Sequence, residues 1–230
     1  MALRQDYAVG PGHHLYLAGC DLAALAREHG TPLYVYDERY LRAQCRAFKG
    51  AMDAYAPNGG EVHYASKAFC TTAMCRIAAQ EGLGLDVVSG GELYTARRAG
   101  FPMARVTLHG NAKTIAEMEM ALEYDVGRYI VDNLSEIGEL QELAAARGKK
   151  MGVLIRLNPG IDAHTFRAVQ TARTDCKFGL GVSDGEALEA LKRIARCSNL
   201  ELYGLHTHIG SQIFEAEPFL QAVDCLTDFA

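Results

Sequence analysis

One lysine stands where its amine could act as a nucleophile. Lys67 directly follows a short apolar run and is flanked by small or apolar residues instead of other charges. Where such a lysine is desolvated, its pKa falls and the free amine can form a Schiff base with a carbonyl group. A solvated lysine at the end of a strand fits the same local pattern, so both interpretations stay open on these residues alone.

Two histidines close another apolar run. His206 and His208 lie two residues apart and therefore point to the same side of a predicted strand. A zinc site would need a further ligand, so we predict no metal. His208 could instead lie flat against an aromatic ring, while Gly210 and Ser211 offer an amide and a hydroxyl suited to a phosphate. A hydrogen-bonded core histidine is the alternative, more so for His206.

Two charged residues interrupt apolar runs. Asp86 lies inside the run 83–88, and a buried carboxylate must be paired, so we expect Arg156 or a histidine as its partner. Arg156 lies within the apolar run 152–157 and is costly to bury unless it meets an anion or a polar ring substituent.

Two further features beside these runs are noted. Gly90-Gly91 before Glu92 could start a helix at an anion, but a lone Gly-Gly pair is more often a tight turn, which is the interpretation kept. His109 ends the run 106–108, and the sequence alone assigns it no role.

The apolar runs predict an α/β fold with a parallel sheet. From residue 60 onward, β-prone runs alternate with helical stretches, and the runs are 62–65, 83–88, 106–108, 129–131, 152–157 and 202–206. Helices are predicted over 114–124, 135–147, 184–197 and 218–230, with Asp132-Asn133 supplying cap oxygens for the second. Strands separated by helices of this length pair in parallel.

The polar ends of these runs favour a TIM (β/α)8-type barrel. In a barrel every strand ends at one mouth, where the site is built. An open doubly wound sheet would concentrate such residues at one switch point. Only six units follow residue 60, so we expect the barrel to be incomplete at the C-terminus and the chain to be truncated.

The segment before residue 60 predicts two helices and a short strand. Asp21 is a plausible cap for a helix over 21–29 that stops at Gly30. A β-rich run covers 33–36, and Asp37 caps a second helix that runs to about residue 52.

Composition excludes several classes of protein. The 230 residues carry 23 basic and 28 acidic side chains, and a net charge of −5 has the wrong sign for a nucleic-acid binder. The seven cysteines include no C-x-x-C pair, so neither a disulfide framework nor a zinc ribbon is expected. With neither a membrane-length apolar stretch nor a signal-peptide core at the start, we expect a soluble cytoplasmic protein.

Taken together, these residues resemble the fold-type III pyridoxal-phosphate enzymes and, among them, the diaminopimelate decarboxylase family. The matching segments run in order along nearly the whole chain: 32–37, 64–69, 86–93, 109–111, 158–165, 177–179 and 204–212. The resemblance implies a barrel of the alanine racemase-like type over residues 33–230. It also implies that residues 1–32 pair with a β-rich C-terminal domain.

The resemblance also implies the cofactor, pyridoxal 5'-phosphate, and roles for single residues. Lys67 would hold the cofactor covalently and His208 would stack on its ring, which makes them the expected catalytic residues. Gly210 and Ser211 would bind its phosphate and Arg156 would lie near its ring hydroxyl. Two acidic residues, Asp86 and Glu92, fall at supporting positions.

The activity implied by the resemblance is decarboxylation of meso-2,6-diaminopimelate to L-lysine by a homodimer. The family's acid on the ring nitrogen, its later phosphate loop and its substrate-binding residues find no match in this chain. We therefore expect the chain alone to be inactive or nearly so. The alternatives are a non-catalytic cofactor-binding barrel, a decarboxylase of another basic amino acid, and a lysine-dependent aldolase.

Overall fold

The computed structural model describes residues 7–56, 58–160 and 178–230, which form two compact units divided after Gly60. The first unit has a three-stranded antiparallel sheet of β1 (Tyr7–Val9), β2 (Leu15–Leu17) and β3 (Cys20–Asp21). It also has the helices α1 (Leu22–His29) and α2 (Glu38–Tyr55). The predicted domain boundary at residue 32 stays a prediction.

Both helices of the first unit begin at the predicted caps. The carboxylate of Asp21 accepts hydrogen bonds from the amides of Ala23 and Ala24, and that of Asp37 accepts one from Tyr40. Gly30 ends α1 with a φ of 81°, as the sequence predicted. The strand predicted over 33–36 is wrong, because in the described part of the chain this run has no strand beside it with which to pair.

The second unit alternates strands and helices. Its strands are β4 (His63–Ala65), β5 (Gly84–Val87), β6 (Val106–Leu108), β7 (Arg128–Val131), β8 (Met151–Asn158), β9 (Leu180–Gly181) and β10 (Leu200–His206). Its helices are α3 (Thr72–Gln80), α4 (Gly90–Ala99), α5 (Ile115–Glu123), α6 (Leu134–Ala146), α7 (Glu186–Ile194) and α8 (Glu217–Phe229). The six predicted strands and four predicted helices are thus confirmed, and the structure adds β9, α3 and α4.

The six long strands pair in parallel and in chain order. The sheet runs β4-β5-β6-β7-β8-β10, and the short β9 pairs with the end of β8. A doubly wound sheet reverses direction at a switch point, whereas this order never reverses. The order is that of a barrel wall, although among the described residues the two end strands, β4 and β10, do not pair with each other.

The core lies between the sheet and its helices. Alternate side chains of each strand point away from the inner face of the sheet and toward the helices. On this side Leu85, Tyr129 and Ile155 are completely shielded from solvent. Leu93 of α4 and Leu140 of α6 cover them from the helical side and are equally buried. The other set of side chains points to the inner face, which carries most of the polar residues that interrupt the runs.

Gly90-Gly91 forms the first turn of α4 instead of the predicted tight turn. The hydroxyl of Ser89 accepts a hydrogen bond from the amide of Glu92 and so caps the helix. No helix in the described ranges is both long and apolar enough to cross a membrane. The matched segments at 158–165 and 177–179 extend into residues 161–177, which lie outside the described part.

Gly127, which leads into β7, is required by close backbone approach. A Cβ added there would clash with the carbonyl oxygen of Ala104. We expect Gly127→Ala to lower the free energy of unfolding by about 1–3 kcal/mol, because two backbone segments must move apart. Urea unfolding followed by circular dichroism measures the change.

Gly138, inside α6, provides the matched control, because an added Cβ meets no atom within 4 Å. Gly138→Ala should raise the free energy of unfolding by about 0.5–1 kcal/mol through helix propensity. Equal effects at the two positions would contradict the steric explanation.

Candidate active site

Polar side chains on the inner face and at the strand ends form the candidate site. Two histidines show how strongly the sheet curls. His109 follows β6 and His206 ends β10, and these strands are three positions apart in the sheet. In a flat sheet three strand spacings amount to about 14 Å, yet the two imidazole centroids are 4.5 Å apart. The sheet therefore curls as in a barrel wall, and its inner side chains converge.

Asp86 joins this histidine pair. Its Oδ2 lies 3.4 Å from Nδ1 of His109, so the predicted histidine partner of Asp86 is present and Arg156 is not the one. Asp86 Oδ1, His109 Nε2 and His206 Nδ1 are buried and have no hydrogen-bond partner among the described residues. Orphaned polar atoms of this kind are rare, and several in one place indicate room for a polar guest.

Arg156 meets the anion that its burial requires. Its guanidinium Nη1 lies 3.1 Å from Oδ1 of Asp132, and both residues are almost completely buried. The guanidinium carbon also lies 4.6 Å from the ring centroid of Phe178. Because Asp132 follows β7 and Arg156 is on β8, this ion pair joins two neighbouring strand ends on the inner side.

A second buried ion pair lies next to the first. Lys113 Nζ is 3.1 Å from Oε2 of Glu136, and the two side chains are 1% and 3% exposed. The sequence analysis identified neither Lys113 nor Glu136 as a candidate site residue. Glu136 was detectable as the third helical residue after the cap Asn133, but the burial of Lys113 left no signal in the sequence.

Lys67 lies in the turn directly after β4, and its side chain is exposed. Of the two interpretations that the sequence left open, the exposed side chain agrees with a solvated lysine at the end of a strand. Among the described residues its ammonium has neither an ion pair nor a hydrogen bond. The preceding Ser66 is buried and donates its hydroxyl to Oε2 of Glu92 at 2.6 Å, which fixes the turn.

His208 lies two residues beyond β10 and is held neutral. Burial lowers its pKa to about 4, and the nearby charge of Lys67 is the next cause. Lys67 follows β4, at the opposite end of the sheet, so the curl brings the first and last strand ends within electrostatic reach. Burial likewise lowers the pKa of His206 to about 2, with the charge of His109 as the next cause.

The remaining predicted residues, Gly210 and Ser211, lie in the loop that follows His208. Gly210 has a φ of 136°, a conformation that favours glycine, and Ser211 is exposed. His208 and Gly210 line a cavity of about 210 Å³ between this loop and α8. Within the described ranges, no three His, Cys, Asp or Glu side chains are grouped to hold a metal ion.

A larger cavity of about 390 Å³ opens on the inner face of the sheet below the histidines. Asp86, His206 and His63 line it together with Thr107 and Arg128. Its lining mixes polar and apolar side chains, and the orphaned oxygen of Asp86 and the orphaned nitrogen of His206 belong to residues on its wall. The inner face thus offers polar groups and space, whereas the outer face is apolar and filled.

Curated proteins similar to this chain are diaminopimelate decarboxylases. That of Bacillus methanolicus is 46% identical over 209 residues, which cover 91% of this chain and 48% of the relative. That of Bacillus subtilis is 44% identical over 211 residues, which cover 92% of this chain and 48% of the relative. The chain thus spans about half the length of the curated relatives that it matches.

A solved structure is similar over almost the whole chain. The diaminopimelate decarboxylase from M. jannaschii, solved in co-complex with L-lysine, superposes with a TM-score of 0.87 at 32% sequence identity. The match covers 98% of this chain and 52% of that one. The fold-type III barrel wall predicted from the sequence is thereby confirmed.

Residues 38–229 match the family described as pyridoxal-dependent decarboxylase, pyridoxal binding domain. This match extends over most of the chain and includes both the exposed amine of Lys67 and the half-buried imidazole of His208. The cofactor expected from the sequence, pyridoxal phosphate, is the one this family uses. The chain belongs to the pyridoxal-dependent decarboxylases and contains their pyridoxal-binding domain.

Proposed function

We propose that this chain is the cofactor-binding part of a decarboxylase that converts meso-2,6-diaminopimelate to L-lysine. The curated relatives carry that name, and the M. jannaschii relative was solved with L-lysine. The observation that carries the proposal is that the match to the pyridoxal-binding domain includes both Lys67, directly after β4, and His208, two residues beyond the end of β10. An exposed amine and a neutral imidazole at one rim are what a pyridoxal aldehyde and its ring require.

The residues present fit pyridoxal phosphate. Lys67 offers an amine that no acidic group engages in the described structure, so it is available for condensation. His208 stays neutral near pH 7, which suits stacking on an aromatic ring. The orphaned oxygen of Asp86 gives the site a buried acceptor, and the positive charge of Arg156 lies on the inner side of β8.

Each side chain then has a defined task. Lys67 would hold the cofactor covalently and give up its place to the substrate amine. His208 would shield one face of the ring from water. The amide of Gly210 and the hydroxyl of Ser211 would donate to the phosphate, and Arg156 would face the ring hydroxyl. When bound, the cofactor supplies an electron sink for the pair left behind by the departing CO2.

This proposal has three further parts: the substrate is meso-2,6-diaminopimelate, the protein forms a homodimer, and its location is cytoplasmic. The substrate assignment rests on the names of the relatives, of which this chain spans about half. A decarboxylase of another basic amino acid and a non-catalytic cofactor-binding barrel are the outcomes against which the proposal is tested.

The cofactor assignment predicts a spectral change that depends on Lys67. Titrating the 230-residue chain with pyridoxal phosphate should produce the absorbance band of a carbonyl condensed with an amine. Lys67→Ala should abolish the band, because the condensing amine is gone. Lys150→Ala, which removes an exposed surface lysine paired with Glu201, is the control and should keep it. A band that survives Lys67→Ala would contradict the assignment.

The substrate assignment predicts a preference among amino acids. Purified from its native source and supplied with pyridoxal phosphate, the protein should release CO2 from meso-2,6-diaminopimelate at least about ten-fold faster than from L-ornithine or L-arginine, a difference of about 1.4 kcal/mol in transition-state binding. Trapped CO2 measures the rates. A faster reaction with L-ornithine would contradict the assignment of meso-2,6-diaminopimelate as the substrate. Cofactor binding without CO2 release from any of the three amino acids would favour the non-catalytic barrel.

Two half-buried histidines, His206 and His208, predict a pH-dependent stability. His206 and His208 have pKa values of about 2 and about 4 in the folded chain, below the ordinary value of 6.5. The unfolded chain therefore binds their protons first, and the stability they contribute is present above about pH 6.5 and is lost as the pH falls toward 4. Each should lower the free energy of unfolding by about 1 kcal/mol per pH unit between about pH 6 and pH 5.

His206→Gln should remove one of these two contributions and make the fall between pH 6 and pH 5 shallower. Urea unfolding at several pH values measures the slope. Between about pH 7 and pH 8, where both histidines are neutral in either state, the two proteins should show parallel curves. Equal slopes at lower pH would contradict the burial of a neutral His206.

A further inference from the structure

Three successive helices begin in the same way. Each has a cap residue followed, three positions later, by a glutamate: Ser89 and Glu92 in α4, Thr114 and Glu117 in α5, and Asn133 and Glu136 in α6. Each glutamate accepts from an amide of its own loop, as in a capping box. Each also contacts a group in the segment that follows the neighbouring strand one position earlier in the sheet: Ser66 after β4, Gly90 after β5 and Lys113 after β6. These contacts, or ties, connect successive segments at the carboxyl ends of the strands.

The first two ties are hydrogen bonds to neutral groups. Glu92 Oε2 accepts from the amide of Val88 at 2.7 Å and from the hydroxyl of Ser66 at 2.6 Å. Glu117 Oε1 accepts from the amide of Gly90 at 2.8 Å, and both residues lie near the surface.

The third tie is ionic and buried. Glu136 Oε2 accepts from the amide of Asp132 at 3.0 Å and from Lys113 Nζ at 3.1 Å. The same ammonium donates to the carbonyl oxygen of Ile130 at 2.9 Å and to that of Gly110. An ammonium has three donors, so Lys113 is fully satisfied and joins the loop after β6, strand β7 and helix α6.

Through Asp132, the Lys113–Glu136 pair is connected to Arg156. The amide of Asp132 is held by Glu136, and the carboxylate of Asp132 receives the guanidinium of Arg156. The four side chains carry two positive and two negative charges, and each residue is at most 7% exposed. In such surroundings a displaced charge finds no water to replace its partner, so the arrangement has one favoured geometry.

We propose that Glu136 and Lys113 are positioning residues that, through Asp132, set the guanidinium of Arg156 against the bound cofactor. This inference rests on the proposed function only in making the cofactor the target of Arg156. The directions of the pKa shifts show that burial penalises both ions and that their mutual attraction opposes this penalty. Burial is the largest cause both of the lowered pKa of Lys113 and of the raised pKa of Glu136.

The alternative is that Glu136 acts only as a helix cap. Glu117 distinguishes the two, because it caps α5 from the same helical position but is only half-buried and makes no ion pair within the described part. If capping were the whole role, Glu117→Gln and Glu136→Gln would change cofactor binding to the same extent. A double-mutant cycle with Arg156→Lys, which keeps the charge but loses the planar fork, isolates the coupling to Arg156.

The experiment measures the dissociation constant of pyridoxal phosphate by absorbance titration, and the thermal midpoint separately. Glu136→Gln should weaken binding about ten-fold in the chain with Arg156 but less than about three-fold in the Arg156→Lys background. Glu117→Gln should change binding less than about two-fold in both backgrounds, although it lowers the thermal midpoint as a lost cap does. An equal loss in both backgrounds, or an equal loss for Glu117→Gln, would overturn the proposal.

Two further arms keep the test decisive. If Glu136→Gln does not fold, the neutral pair Lys113→Gln/Glu136→Gln leaves no unpaired buried charge and takes its place in the cycle. If wild-type chain shows no Lys67-dependent band, the proposed function fails, and the cycle is then read from thermal midpoints without cofactor. Non-additive shifts for Glu136→Gln and Arg156→Lys would support the tie, and additive shifts would overturn it.

Discussion

Parallel pairing in chain order is the constraint on which the site depends. It brings the carboxyl end of every long strand to one rim, and the curl of the sheet then closes the distance between strands that are far apart in the order. His109 and His206 touch across this curl, and the charge of Lys67 reaches His208 from the other end of the sheet. In a flat sheet the side chains of these residues would lie too far apart to contact one another.

The polar groups at this rim divide into a buried set and an accessible set. Arg156 pairs with Asp132 and Lys113 pairs with Glu136 away from water, and these two ion pairs join the loops that carry them. Lys67 and Ser211 remain exposed, which is compatible with the cofactor contacts proposed for them. A rigid buried charge network beneath an accessible amine fits a site that holds a large prosthetic group in one orientation.

Residues at strand and helix ends were the most predictable part of this protein. Asp21, Asp37 and Asn133 cap the helices where the pattern indicated, because capping depends on only a few neighbouring residues. The run 33–36 was mistaken for a strand, since β-propensity needs a partner strand that the sequence does not reveal. Gly90-Gly91 was mistaken for a tight turn, because the cap at Ser89 and the carboxylate of Glu117 hold its amides in a helical turn.

The sequence by itself determined the order of the six paired strands after residue 60, four of the helices between and after them, the family, and Lys67 and His208 as candidate site residues, because each depends on local patterns or short motifs. Only the tertiary structure decided that Lys67 is exposed, that the partner of Asp86 is His109 and that Lys113 is buried beside Glu136. The physical reason is that these outcomes depend on the curl of the sheet and on which strand ends meet. Both arise from contacts between residues far apart in the chain, and no local pattern specifies them.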